Sequence, residues 1–498
     1  MRVLFDTNII IDIEKSHVID ESYSSLVRLL QTNNHQILIH PSSFADLERD
    51  SDQERKAINL SKLSKYELLK NPPDCLTQFI KAGISCTRPN DKVDCDMLCA
   101  VYHNAVHMLV TEDRRLHNKA KTLSISKNVF FVQQALAAME AAHRQPNIVL
   151  PNIEQIHLYE INQLLKTDEF FDSLRTGYAE YDEWFAKSAK EGRQTWISWT
   201  KEKKVGALCI FKDAVDDIRT TDNKFISGPA LKLCTFKVAP PVLGRKVGEL
   251  FLKAAFKYAH EKGQNHIFLT MKDNHEQLAQ LCKDFGFYEL GKDDYGDSVY
   301  VKSHPTLPPP GESDALSYHI KFSPNAMAST SVQKYLVPIQ PPFHDILFPE
   351  ASDQQLTLRL DVDLKNPVNA LKLAYICHAP VKTMSPGDIL LFYRSGDLRE
   401  VTTIGIVESA EHLLDFDTII NRVFKRTVYS IKELEDISKR DSLVILFRLA
   451  FHLPKNIPQK QLEEQGIIGP YQTIRKVHND KFIALIQKAG IENRFAFN

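Results

Sequence analysis

Apolar and polar positions follow three different rhythms along this chain. The first block opens on Val3-Leu4-Phe5, stops at Asp6-Thr7-Asn8, and resumes with Ile9-Ile10-Ile11. An apolar run ended by polar residues predicts a buried strand that delivers Asp6 to the C-terminal edge of a sheet. A short helix is predicted over residues 23–31, and a strand over 36–40, broken by Pro41. The next helix starts at Ser42, with Ser42 or Ser43 as its N-cap. Residues 91–96 open a further helix whose apolar positions Met97, Leu98, Ala100 and Val101 face a core. Residues 108–111 predict a strand that ends in Glu112-Asp113. This is β/α alternation, with acids at strand ends and helix starts.

The rhythm changes after Gln145-Pro146-Asn147 and Pro151, which read as a linker. Two amphipathic helices are predicted over 153–165 and 170–188, then strands over 195–199, 204–212 and 231–238. A helix follows the turn at Leu243–Gly248 and runs to about His260. Residues 266–271 form the next strand, and 278–285 a helix ending at Gly286. Pro305-Thr306-Leu307-Pro308-Pro309-Pro310-Gly311 has the composition of an extended linker. Beyond it the apolar runs are short: 374–378, 389–394 and 403–407. Pro386-Gly387-Asp388 makes a tight turn, and Gly405 marks a strand kink. No internal repeat is present.

At 498 residues the chain is too long for one core, and at roughly 100–200 residues per domain three domains are expected. With 62 basic and 63 acidic residues the net charge is -1, which excludes a globally basic nucleic-acid binder but not local patches. The eight cysteines are scattered, without a CxxC pair, which argues against a disulfide framework or zinc knuckle and fits a reducing cytosol. No apolar run reaches ~18 residues, so no membrane span is expected, and the first strand leaves no room for a signal peptide. The expectation is a cytoplasmic multidomain protein. Cys95, Cys99, His103 and His107 recur every four residues. Adjacent pairs suit zinc, but all four span too much of one helix for a single ion, and a buried stripe is the plainer reading.

The acids of the first block invite chemistry. Several carboxylates at one sheet edge need a counter-charge, which a hard divalent cation supplies while activating water for attack on phosphorus. Asp6-Thr7-Asn8, Asp46 after the strand and Pro41, Asp96 heading a helix and Thr111-Glu112-Asp113 resemble the PIN-domain nucleases over residues 1–145. The resemblance implies that Asp6, Asp46, Asp96 and Asp113 are the catalytic, metal-binding acids, that Mg²⁺ or Mn²⁺ is the cofactor, and that RNA is the substrate. It departs from the family at Asp46, where glutamate is usual, and Glu48 is the alternative ligand. The other reading of these acids is as helix caps and first-turn residues favoured by the helix dipole.

In the second block, glycines and cations at a helix start suit an anion such as pyrophosphate. The element order and the Gly244–Gly248 turn resemble the GNAT acetyltransferases over residues 148–302. The resemblance implies acetyl-CoA, held by the backbone of Val238 and by Gly244, Arg245, Lys246, Val247 and Gly248. Leu243 stands in place of the family's Gln or Arg, Lys246 in place of its middle glycine, and Cys282 in place of its tyrosine acid. A GNAT fold kept as a scaffold is the alternative.

Residues 303–329 form a proline-rich linker and lead-in. From 330 to 498 the Pro-Gly-Asp turn and short apolar strands resemble the PUA-like domains, EVE and ASCH types among them, although the Gly-x-Lys-x-x-Glu-x-Arg signature of ASCH members is absent. The resemblance implies RNA binding, with Tyr393, Arg394 and Ser395 stacking on and hydrogen-bonding a base. The clusters around Arg422–Arg426 and Arg475-Lys476 are either phosphate contacts or solvated charge.

The expected architecture is therefore α/β multidomain: a PIN-like α/β/α parallel sheet, a GNAT-like α+β domain and a PUA-like β-barrel. The leading functional expectation is a Mg²⁺-dependent ribonuclease, toxin-like and restrained by an inhibitory protein partner, with an acetyl-CoA-binding middle domain. The alternatives are an acetyltransferase acting on an RNA-linked or protein amine, with the first domain as binding platform, and a non-catalytic RNA-binding scaffold.

Overall fold

The computed structural model describes residues 1–13, 21–49, 51–86, 88–143, 153–200, 202–214, 217–239, 246–352, 370–423 and 426–497. They divide into two compact units. The first comprises Met1–Ile148 and, from far along the chain, Leu413–Asp441; the second holds Val149–Val242, Lys246–His412 and Ser442–Asn498. Segment 413–441, from within the predicted third domain, groups with the first unit.

The first unit is built on a parallel sheet of β1 (Arg2–Phe5), β2 (Gln36–Ile39), β3 (Glu67–Leu68), β4 (Met108–Val110) and β5 (Val129–Phe130), in the order β3-β2-β1-β4-β5. Period-two alternation divides β1 between two cores. Leu4 packs with Leu98, Val101 and Leu109 on one face, and Val3 and Phe5 with Ile10, Leu30 and Met139 on the other. This is why the first strand reads as a continuous apolar run. Helix Pro41–Glu48 is capped by His40, whose Nδ1 accepts from the Ser42 amide at 3.2 Å, so the predicted serine caps are displaced by the residue before Pro41. Helix Pro89–Tyr102 begins at its proline rather than at Asp91. In helix Phe416–Val423, Asp417 accepts from Arg2 and lies 2.6 Å from His107 Nε2, while Asn421 accepts from Asn128.

Cys75 is bonded to Cys99 and Cys86 to Cys95. The disulfide-free expectation is corrected here. The sequence spacing hides that residues 75–86 run alongside helix Pro89–Tyr102, so that cysteines one helical turn apart each meet a partner.

The second unit carries two larger sheets. The first of them contains β6 (Glu154–His157), β7 (Gln194–Trp199), β8 (Val205–Ala214), β11 (Ala230–Val238), β12 (His266–Met271), β13 (Tyr288–Lys292) and β14 (Ser298–Ser303), in the order β13-β14-β12-β11-β8-β7-β6. A small hairpin of β9 (Ile218–Arg219) and β10 (Phe225–Ile226) stands apart from it. The predicted helix over 153–165 is instead mostly β6 and a short 3₁₀ turn, because its first residues complete the edge of β7. The predicted helix over 170–188 is interrupted near Gly177 and resumes as Tyr181–Lys190.

The following sheet holds β16 (Lys334–Ile339), β17 (Lys372–Cys377), β18 (Ile389–Arg394), β19 (Glu400–Leu413), β20 (Ser442–Pro458) and β21 (Arg475–Val477), ordered β17-β20-β19-β18-β16-β21. β15 (Ala326–Met327) pairs with β22 (Phe495–Ala496) beside it. Among the described residues the pairings form a six-stranded sheet with β17 and β21 at opposite ends, and the expected barrel is not confirmed by them.

Residues 303–329 do more than link. Helix Ala315–Phe322 buries Tyr318 and His319, and Tyr318 donates to Pro309 O at 2.8 Å. Gly286, at φ +83°, lies so close to this helix that a Cβ would stand 1.9 Å from Ile320 O. Lys302 Nζ, fully buried, donates to Ile320 O and Lys321 O.

Candidate functional site

Two places gather chemistry, one in each unit. In the second unit, β11 and β12 are the parallel neighbours of their sheet. They pair from Ala230–His266 to Leu233–Leu269 and no farther. β11 then bulges at Cys234 and continues along β8 to the Val238–Ala207 pair. A bulge bends its strand and strengthens the twist, so beyond Leu233 the β12-facing edge of β11 carries backbone groups with no β12 partner.

Segment Gly177–Tyr181 lies by the two diverging strands. The Tyr181 hydroxyl is buried near Thr235 of β11, and burial holds it far above its usual range. Just past β12, Lys272 Nζ donates to Gly177 O at 2.6 Å and lies 4.5 Å from the Tyr178 ring centre. Lys237 donates to Phe170 O and, at 2.7 Å, to Ser173 Oγ, fixing the chain ahead of this segment. The sequence hints at this segment only through Gly177, which interrupts a helical pattern.

Helix Val247–Glu261 starts beside this opening. Its N-cap, Lys246, takes φ 59°. A helix start offers amides and a positive dipole end to an anion. Gly248 packs closely, since a Cβ there would lie 2.9 Å from Leu281 Cδ2 and that side chain would have to shift. The free strand edge and the helix start fit the amide-bearing arm and the pyrophosphate of an acyl-CoA. Of the residues expected to hold it, Val238, Lys246, Val247 and Gly248 are brought to this end of β11 or of the helix, and Gly244 and Arg245 lie outside the described residues. Lys246 Nζ donates to Lys372 O at 3.2 Å. Cys282 is fully buried, and burial pushes its thiol up to about 12, so it is no substitute for a tyrosine acid.

In the first unit, Asp6 sits at the C-terminal end of β1, almost wholly buried. Burial, with the charges of Asp94 and Asp113, raises its carboxyl to about 6 against the hydrogen bond from Thr111 Oγ1 at 2.6 Å. Asp113 caps helix Arg114–Thr122 by accepting from the Arg115 amide. The neighbour from helix Pro89–Tyr102 is Asp94, which the sequence reading missed. Asp96, two residues on, instead meets Ser42, and burial raises its carboxyl. Asp46 pairs with Arg49, and Glu48 is exposed.

Lys119 already supplies counter-charge here, donating to Asp94 at 2.8 Å and to Asp91 at 3.0 Å. Among the described residues, the only group of three or more ligand atoms close enough to hold one ion is Cys75, Cys99 and His103. Of the expected acids, Asp6 and Asp113 lie at this edge with Asp94, whose counter-charge is Lys119, while Asp46 and Asp96 meet other partners.

The predicted base-reading residues are built into the C-terminal sheet. Tyr393, 1% exposed, donates to Gln459 and stacks on Tyr471. Arg394 is clamped by Asp345 and Asp397, and Ser395 donates to Ile339 O. Neither Tyr393 nor Arg394 presents a face on which a base could stack. Apolar neighbours on both sides of β18 bury what reads in sequence as a polar triplet.

Residues 158–287 match the acetyltransferase (GNAT) family. No curated protein matches the chain. Among solved structures, an ASCH protein from Zymomonas mobilis is similar at 14% identity, covering 31% of this chain and 94% of that one, with a TM-score of 0.24. A protein described as histone acetyltransferase HPA2 and related acetyltransferase, from Corynebacterium glutamicum, is similar at 16% identity over 32% of this chain and 98% of its own, TM-score 0.23. A GNAT acetyltransferase from Staphylococcus aureus matches at 16% identity over 30% and 98%, TM-score 0.20. The chain thus contains a GNAT acetyltransferase domain, and the comparisons bring no support for a PIN domain in residues 1–145.

Proposed function

We propose that this protein is an acetyl-CoA-dependent N-acetyltransferase acting on an amine carried by RNA or protein, with the first unit a binding platform rather than a nuclease. The observation that carries this is the end of the β11–β12 ladder at Leu233 and Leu269, beside the start of helix Val247–Glu261 and within the family match.

Acetyl-CoA, when bound, supplies the acetyl group as a thioester. The β11 edge from Cys234 to Val238 aligns the arm by strand-like hydrogen bonds, and the Val247–Gly248 amides receive the pyrophosphate. Segment Gly177–Tyr181, tied to the end of β12 by Lys272, forms the wall past which the acceptor amine approaches. Holding two reactants in line is the main contribution such a site makes. Cys282, kept neutral by burial, takes no part in proton transfer.

The test is release of CoA thiol by the full chain, offered acetyl-CoA with total cellular RNA, aminoacylated RNA or lysine-containing protein. Thiol release that depends on one acceptor class supports the reading and names the class. Absence of acetyl-CoA binding by calorimetry overturns it. The same protein is incubated with RNA in Mg²⁺ or Mn²⁺. Intact RNA agrees with this reading, and cleavage lost in Asp6→Asn would return the function to the first unit.

A further inference from the structure

The Cys75–Cys99 bond stands beside a histidine. Cys99 and His103 lie one turn apart at the C-terminal end of helix Pro89–Tyr102, and Cys75 immediately precedes helix Leu76–Lys81. The two sulfurs and a His103 ring nitrogen all lie within 4.8 Å of one another, and the Cys75 and Cys99 Cα atoms are 5.9 Å apart. We propose that reduction of the Cys75–Cys99 bond opens a site for a thiophilic divalent cation, Zn²⁺, bound by Cys75, Cys99 and His103.

Several observations converge on this ion. Two thiolates and an imidazole are donors that select zinc over Mg²⁺ or Ca²⁺. Zinc–sulfur bonds of about 2.3 Å and zinc–nitrogen bonds of about 2.0 Å place tetrahedral ligands a little under 4 Å apart, a separation these side chains reach by opening the sulfur pair. Cys75 and Cys99 are buried and His103 is exposed, so the fourth position faces solvent and takes a water. Of the four-residue stripe of the sequence, only Cys99 and His103 meet at this site. Cys95 faces Cys86, and His107 is engaged by Asp417 and the Arg2 amide. Cys75, remote in sequence, takes their place.

The chemistry balances with a thiol reductant. Exchange breaks the S–S bond, two electrons pass to the cysteine sulfurs, each sulfur takes a proton, and the reductant leaves as its own disulfide. Binding of the ion then displaces both protons to solvent. The same two cysteines therefore hold either a covalent bond or a metal ion, never both.

The experiment uses the full chain, reduced with a phosphine under argon, and Co²⁺ alone as the probe. One ion per chain is expected, with thiolate-to-cobalt charge-transfer absorption and the visible bands of a tetrahedral ion, both bleached by Zn²⁺. His103→Ala should weaken binding at least tenfold, Cys75→Ser should abolish the charge-transfer bands, and Cys86→Ser should retain them. Oxidation before metal addition should block binding. His103 is exposed, so His103→Ala, checked by circular dichroism, carries the test even where Cys75→Ser fails to fold. Weak octahedral bands without charge transfer, or a spectrum unchanged by His103→Ala, would overturn the proposal.

Discussion

Leu233 of β11 and Leu269 of β12 are register partners, and theirs is the last pair that those two strands make. Everything proposed for acyl transfer depends on the backbone left without a β12 partner beyond that pair and on the helix that begins after it.

That helix is sensitive at Gly248. Gly248→Val places methyl groups against Leu281, overpacking that costs about 1–3 kcal/mol. Acetyl-CoA affinity should fall at least tenfold by calorimetry, and adding Leu281→Ala should recover part of the loss. An unchanged affinity would remove this helix start from the binding site.

Segment Gly177–Tyr181, beside the diverging strands, makes a different prediction. Lys272→Ala removes the hydrogen bond to Gly177 O and the contact with the Tyr178 ring. The acceptor KM should rise several-fold while acetyl-CoA affinity stays the same. A change confined to acetyl-CoA would place the segment elsewhere in the reaction.

Asp6 predicts a pH dependence with a definite sign. Its folded-state pKa of about 6 lies above the ordinary carboxylate value, because burial favours the neutral acid. The folded chain therefore holds a proton that the unfolded chain releases, and stability declines as pH rises from about 4 to 6. Asp6→Asn can still accept from Thr111, and should raise Tm by roughly 2–6 °C at pH 8, with the gain vanishing near pH 4. Thermal unfolding followed across that range is the measurement, and a gain that grew toward acid would contradict it.

Arg394 should matter to folding rather than to nucleic acid. Arg394→Ala strands Asp345 and Asp397 and should cost about 1–3 kcal/mol in urea unfolding, less than a fully buried pair because both acids are partly exposed. RNA affinity of the folded fraction should not change. Loss of binding at unchanged stability would restore Arg394 as a reader.

Much of the fold was legible because burial on both faces leaves a plain signature. Val3-Leu4-Phe5, Met108–Val110 and Ile389–Arg394 are strands where apolar runs predicted them. Edge strands were harder. Residues 153–165 carry a helical pattern, yet Glu154–His157 is held in strand form by β7, a partner some forty residues away. The same limit hid the candidate sites. Asp94 and Asp96 are equally acidic in sequence, and only the helix's rotation over the sheet decides which one meets Asp6. Tyr393 and Arg394 looked like a polar surface pair because nothing local reveals Gln459, Tyr471, Asp345 and Asp397 around them. Gly248 and Gly286 stood out, and both prove to be places where a side chain would collide.

The seat that Gly286 provides for helix Ala315–Phe322 bears on how the molecule can be dissected. A fragment ending at the proline-rich stretch would carry all seven strands of the acetyltransferase sheet, yet its Lys302 ammonium would lose both carbonyl acceptors and its glycine turn the surface that covers it. The GNAT-like module therefore extends, as a handled object, at least to Phe322. Expression boundaries drawn from sequence composition alone would sever it from its own lining.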